Sequence, residues 1–153
     1  HTNDAATTFP RLLDMKVEPF LIASTVNIVI AQRLVRTIHD KCRLSVEVGI
    51  EQLKLHLGEE LVNKTFGDVQ TVRLYKGKGC QLDHSTGYEG RIGMFAVLLM
   101  NDEIRDAITK RQDSSIIKQI AIKYGMTTMI EDGLSKVKQG ITTIEEIIRA
   151  TKE

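Results

Sequence analysis

An α+β chain, mainly helical, is the fold class this sequence predicts, and three observations predict it. Gly77, Gly79, Gly87, Gly90 and Gly93 break one segment too often for a helix, because glycine admits positive φ and weakens regular structure. Arg91 to Leu99 then runs apolar at strand length, as a strand covered on both faces would. Past Asn101, apolar residues recur at three- and four-residue spacing between glycine stops, the pattern of several short helices.

From the start, Ala5 to Met15 predicts a helix whose Pro10 must sit in the first turn or at a kink, since an interior proline costs roughly 3 kcal/mol. A second helix is expected from Pro19 through Ile30, apolar nearly all round and so buried. Arg33 to Ile38 reads as a short strand with His39 to Leu44 as its exit. Val46, Ile50, Leu53, Leu57 and Leu61 then predict one amphipathic helix ended by Phe66-Gly67-Asp68. Val69 to Tyr75 alternates as a strand that enters the glycine-rich segment and returns the chain to His39–Cys42.

Asn101, followed by Asp102 and Glu103, has the composition of a helix N-terminus: an acceptor for free N–H groups, then negative charge at the positive end of the dipole. Gly125 reads as a C-terminal stop. Gly-Met-Thr-Thr-Met from Gly125 and Gly-Ile-Thr-Thr-Ile from Gly140 form a small repeat, in which Thr128 with Glu131 and Thr142 with Glu145 have capping-box spacing. It is a structural device for tight corners.

With 153 residues, 42% hydrophobic and 27% charged, the chain can bury a core and has a globular composition. A net charge of +1 argues against direct nucleic-acid binding, including a zinc-ribbon binder, which would carry a basic stripe. No apolar stretch reaches the roughly 20 residues of a membrane span, Phe20 to Ala31 being about half the length required, and no signal peptide is expected. Two cysteines far apart do not make a secreted disulfide framework, so a reducing cytosolic setting is expected. With His1 in place of a methionine, the chain reads as a piece whose natural start lies upstream.

Metal binding is the sharpest chemical reading. His39-x-x-Cys42 and Cys80-x-x-Asp83, or Cys80-x-x-x-His84, are two bidentate knuckles that a tetrahedral zinc ion can clamp together. Such a clamp would cross-link two turns with little apolar material of their own. The competing reading is a degenerate site held by packing and hydrogen bonds. Asp83 and His84 both stand open as the fourth ligand. No G-x-x-x-x-G-K-[ST] loop is present to cradle phosphates, Gly77-Lys78-Gly79 lacking both the hydroxyl residue and the helix, so the segment alone is expected not to hydrolyse ATP. Neither cysteine has the base and orienting group of a catalytic thiol. The acid pairs Glu59-Glu60 and Glu145-Glu146 read as solvated helix faces. Arg33, Arg36 and Arg91 are candidates for contact with a nucleotide or a neighbouring subunit, against the plainer reading as surface charges.

The run from Gly79 to Gly93, with Cys80, Asp83, His84, Thr86-Gly87-Tyr88, Gly90-Arg91 and Gly93, resembles the metal-binding segment, and the stretch directly after it, of the type II secretion and type IV pilus assembly ATPases. His1 to Ala6 resembles that family's His box, Ala31 to Arg36 the lead into its metal site, and the segments from Gly125 and Gly140 its terminal helices. Four ordered motifs cover nearly the whole chain, matching the C-terminal part of such a motor. The resemblance implies residues 1–38 as the tail of a RecA-like core, 39–90 as a metal-binding-type insertion, and 91–153 as a strand followed by a helical C-terminal domain. It further implies a hexameric cytoplasmic ATPase, peripheral at the inner membrane, that uses ATP and magnesium and works with platform proteins in pilin assembly or protein export. His1 would face nucleotide phosphates in the motor. Where the family often has paired cysteines, His39 and Asp83 replace the first and the fourth. A stand-alone regulatory module that kept the motor's tail is the alternative.

Overall fold

The computed structural model describes residue 2 and residues 4–151. In chain order its elements are α1 (Thr8–Asp14), α2 (Pro19–Thr25), β1 (Ile28–Ile38), β2 (Arg43–Gly49), α3 (Ile50–Leu57), α4 (Glu59–Phe66), β3 (Thr71–Gly77), β4 (Tyr88–Leu99), α5 (Asp102–Thr109), α6 (Ser114–Lys123), α7 (Met129–Lys138) and α8 (Ile144–Thr151), with 3-10 turns at Asp40–Cys42 and Gln81–Asp83. The class is α+β. β1 pairs with β4 and β2 with β3, each as a two-stranded ribbon. Two compact units result, one from the chain up to Gln32 with Phe95–Met129, the other from Arg33–Met94 with the chain from Ile130 onward.

In the first unit, α1 starts at Thr8 and holds Pro10 in its first turn, where no N–H is missed. Thr7 N–H donates to Asp4 Oδ1 at 2.9 Å, and Lys118 on α6 reaches Asp4 Oδ2 at 2.9 Å. Pro19 opens α2, but the helix ends at Thr25 and not at Ile30. The reason lies in Val26, Ile28, Val29 and Ile30, whose β-branched side chains fit an extended backbone better than a helix. Phe9, Ile22, Leu98, Ile104, Ile108 and Ile117 are fully buried and form the core of this unit. Asn101 Oδ1 accepts from Ile104 N–H at 2.8 Å, the cap that its sequence position implies.

β4 differs from expectation in having only one covered face. Met94, Ala96 and Leu98 are buried, while Phe95, Val97 and Leu99 are exposed, so the strand alternates despite its unbroken apolar sequence.

The second unit contains the ribbon of β2 and β3, antiparallel from Arg43↔Gly77 to Gly49↔Thr71. The single helix expected over Val46 to Leu61 is instead a strand and two helices. Val46 and Val48 pair with Leu74 and Val72, and Gly58, at φ 86°, separates α3 from α4. Val35, Val62, Met94, Leu134 and Ile147 are buried here. The expected cap on α8 shifts by one residue, because Thr142 donates instead to Arg36 O at 2.7 Å and Thr143 Oγ1 accepts from Glu146 N–H at 3.4 Å. Glu146 is correspondingly no solvated acid but is 2% exposed.

Candidate metal centre

Two turns build the site, and backbone hydrogen bonds bring them together. Leaving β1, His39 N–H donates to Gly87 O at 3.0 Å, and the chain turns through Asp40–Cys42 into β2. Leaving β3, Lys78 N–H donates to Cys42 O at 2.9 Å before the chain turns through Gln81–Asp83. Ser85 N–H closes that second turn on Cys80 O at 2.8 Å, and the Thr86 hydroxyl donates to Asp83 O at 2.7 Å. The crossing is close enough to require glycine: a Cβ on Gly77 would lie 2.0 Å from Gly87 O.

These turns put one ligand atom each from His39, Cys42, Cys80 and Asp83 within 4.8 Å of one another. His39 and Asp83 are buried, and the cysteines half-buried. His39 Nδ1 lies 3.3 Å from Cys42 Sγ and 3.6 Å from Cys80 Sγ. Asp83 Oδ2 lies 2.9 Å from Cys42 Sγ, 3.5 Å from Cys80 Sγ and 3.4 Å from His39 Nδ1. Around tetrahedral zinc, with bonds of about 2.0–2.3 Å, neighbouring donors are about 3.3–3.8 Å apart. Of these five separations only Cys42–Asp83 falls outside that range, and that one is a thiol-to-carboxylate hydrogen bond. Two thiols, an imidazole and a carboxylate also suit zinc chemically, so these residues fit such an ion.

Donation to the Asp83 carboxylate, reinforced by burial, pushes the Cys42 thiol up to about 11. The same bond, with the Cys80 N–H on Asp83 Oδ1 at 2.9 Å, holds Asp83 well below the usual carboxylate range. A metal ion entering the cluster would displace the thiol proton. His84 ends the second turn in the left-handed region, at φ 53°, exposed and outside the group of four.

The other candidate residues lie elsewhere. Arg33 is half-buried on β1 and Arg91 exposed on β4. Arg36 stacks over Tyr88 with its guanidinium carbon 4.2 Å from the ring centre and pairs with Glu146 at 2.7 Å. His1 lies outside the described residues. Sequence reasoning missed Glu89, whose carboxylate is 3.3 Å from His39 Nε2. Its partner follows from the β1–β4 pairing, and nothing in the local sequence signals it.

The family model described as Type II/IV secretion system protein matches residues 1–149. The chain belongs to this family. All of this secretion-family chain aligns with the type IV pilus assembly ATPase PilB of Thermus thermophilus, at 44% identity over 154 residues, and covers 16% of that protein. It aligns over its whole length with the type II secretion system ATPase E of Vibrio cholerae at 37% identity, covering 29% of it, and with the type II secretion system protein E of Xanthomonas campestris at 40%, covering 26%. The chain thus spans less than a third of these relatives. Among the described residues, no helix of this family member is long and apolar enough to cross a membrane.

Proposed function

We propose that this chain is the C-terminal part of a ring-forming motor ATPase that drives pilin assembly or protein export, and that it contributes subunit contacts and coupling while the phosphate loop lies upstream. The observation that carries this reading is the match along residues 1–149 to a family whose similar members are named as pilus assembly and secretion ATPases. In the motor, residues 1–38 would be the tail of a RecA-like core, 39–90 the metal-binding insertion and 91–153 the strand and the helical domain after it. The ring would be a hexamer at the cytoplasmic side of the inner membrane, bound to platform proteins, with ATP and magnesium held mainly by upstream residues. Arg33 and Arg91 would reach nucleotide or a neighbouring subunit, and His1 the phosphates.

His39, Cys42, Cys80 and Asp83 would hold zinc. The ion's chemistry here is structural: four protein donors leave no open position for substrate. Its consequence is mechanical. Fixing the Asp40–Cys42 turn to the Gln81–Asp83 turn stiffens the ends of β1 and β3, so displacement of one strand is transmitted to the other ribbon.

ATP turnover and light scattering on the complete gene product and on the 153-residue segment alone test the motor reading. Turnover by a ring of the complete product, with none from the segment, is expected. Hydrolysis by the segment alone, or a complete product that neither turns over ATP nor assembles, contradicts it.

A further inference from the structure

We propose that Glu89 is the positioning residue of the metal centre, fixing the His39 tautomer that presents Nδ1 to the ion; the inference rests on the metal reading above. A neutral imidazole has one N–H and one lone pair, and which nitrogen carries the proton is decided by the partner on the other side of the ring. His39 Nδ1 faces both cysteine sulfurs and Asp83 Oδ2. On the opposite edge, Nε2 faces Glu89 Oε2 at 3.3 Å. A carboxylate there accepts from Nε2–H and leaves the Nδ1 lone pair directed into the cluster.

The placement comes from the ribbon. His39 N–H is bonded to Gly87 O, and the Thr37 hydroxyl donates to Glu89 O, so one backbone bond and one side-chain-to-backbone bond hold residue 89 beside the imidazole. A cysteine at position 39 would need no such partner, since a thiolate has no tautomer to select. A histidine at position 39 thus creates a requirement that Glu89 meets. Its side chain is 74% exposed, which leaves it free to be substituted without disturbing the core.

The test is titration of the purified, chelator-stripped protein with cobalt(II), read by thiolate charge-transfer absorption and calibrated by competition with a chelator, alongside ¹⁵N NMR of the His39 ring. Loss of an outer carboxylate on a metal-bound histidine typically weakens metal binding 10–100-fold. Glu89→Ala is therefore expected to weaken cobalt binding about ten-fold or more and to shift the His39 ring from the Nε2–H form toward a mixture of tautomers. Glu89→Gln, which keeps an acceptor oxygen, is expected to restore most of both. Cobalt binding unchanged in Glu89→Ala, or an Nδ1–H ring in the unaltered protein, overturns the inference while leaving the metal reading intact. An unaltered protein that takes up no cobalt overturns the metal reading itself.

Discussion

Glu146 on α8 and Arg36 on β1 meet across 110 residues of sequence, one carboxylate oxygen accepting from Arg36 Nη2 at 2.7 Å and the other from the Arg36 backbone N–H at 2.9 Å. Arg149 adds Nε and Nη2 at 3.2 and 2.9 Å, so both oxygens of this buried carboxylate accept two charge-assisted or backbone hydrogen bonds. Thr142 on Arg36 O and the Tyr88 hydroxyl 3.0 Å from Thr143 Oγ1 complete the attachment of the last helix. Removing the carboxylate frees two partly exposed guanidinium groups to water but orphans the Arg36 N–H. Glu146→Ala should therefore cost about 1–3 kcal/mol in urea unfolding. A change below about 0.5 kcal/mol, the range of ordinary surface substitutions, would contradict this role for α8.

Acid should weaken the same contact. Burial pushes Glu146 up, yet donation from Arg36 and Arg149 outweighs it and holds the group down at about 2, below the ordinary 4.5. A lowered folded-state value means that the stabilisation is complete above about pH 5 and is lost as pH falls toward about 2. The loss is at most about 3 kcal/mol. Unfolding midpoints measured across that window should fall more steeply for the unaltered protein than for Glu146→Gln. Parallel curves would count against the assignment.

The crossing of Gly77 and Gly87 leaves no room for a methyl group, and both sides of the contact are backbone. Gly77→Ala should destabilise the fold by about 1–3 kcal/mol, the usual cost of overpacking, and should weaken metal uptake together with the melting temperature, because it separates the turns that carry the ligands. An alanine variant with unchanged melting and unchanged uptake would show that the turns do not depend on this contact.

Removing metal should lower stability in a ligand-dependent way. A ligand present at a hundredfold excess over its Kd stabilises by about 2.7 kcal/mol. A strong chelator should accordingly depress the melting temperature of the unaltered protein, and excess zinc should restore it. Cys80→Ser, having lost a thiolate, should melt lower and respond little to either addition.

How much of this was legible in the sequence varies by element. Pro19, Asn101 and Gly125 marked helix ends correctly, because caps and stops act through single residues and their immediate neighbours. The return of the glycine-rich segment to His39–Cys42 was legible as well, as two ligand knuckles at the two ends of a long intervening segment. Residues 46–61 were misleading, since Val46 and Val48 satisfy a strand period while Val46, Ile50 and Leu53 satisfy a helical one. Pairing with β3 decided between them, and that is a tertiary fact. Glu146 looked like surface for a related reason: an acid in the first turn of a helix is ordinary, and only the partner far away in sequence shows that it is buried.

The metal content of freshly purified protein tests the central claim most directly. One equivalent of zinc per chain by elemental analysis, falling to none when Cys42 and Cys80 are both changed to serine, is the result expected of four donors gathered within 4.8 Å. A well-folded protein carrying no stoichiometric metal would contradict it and leave the two turns held by hydrogen bonds alone.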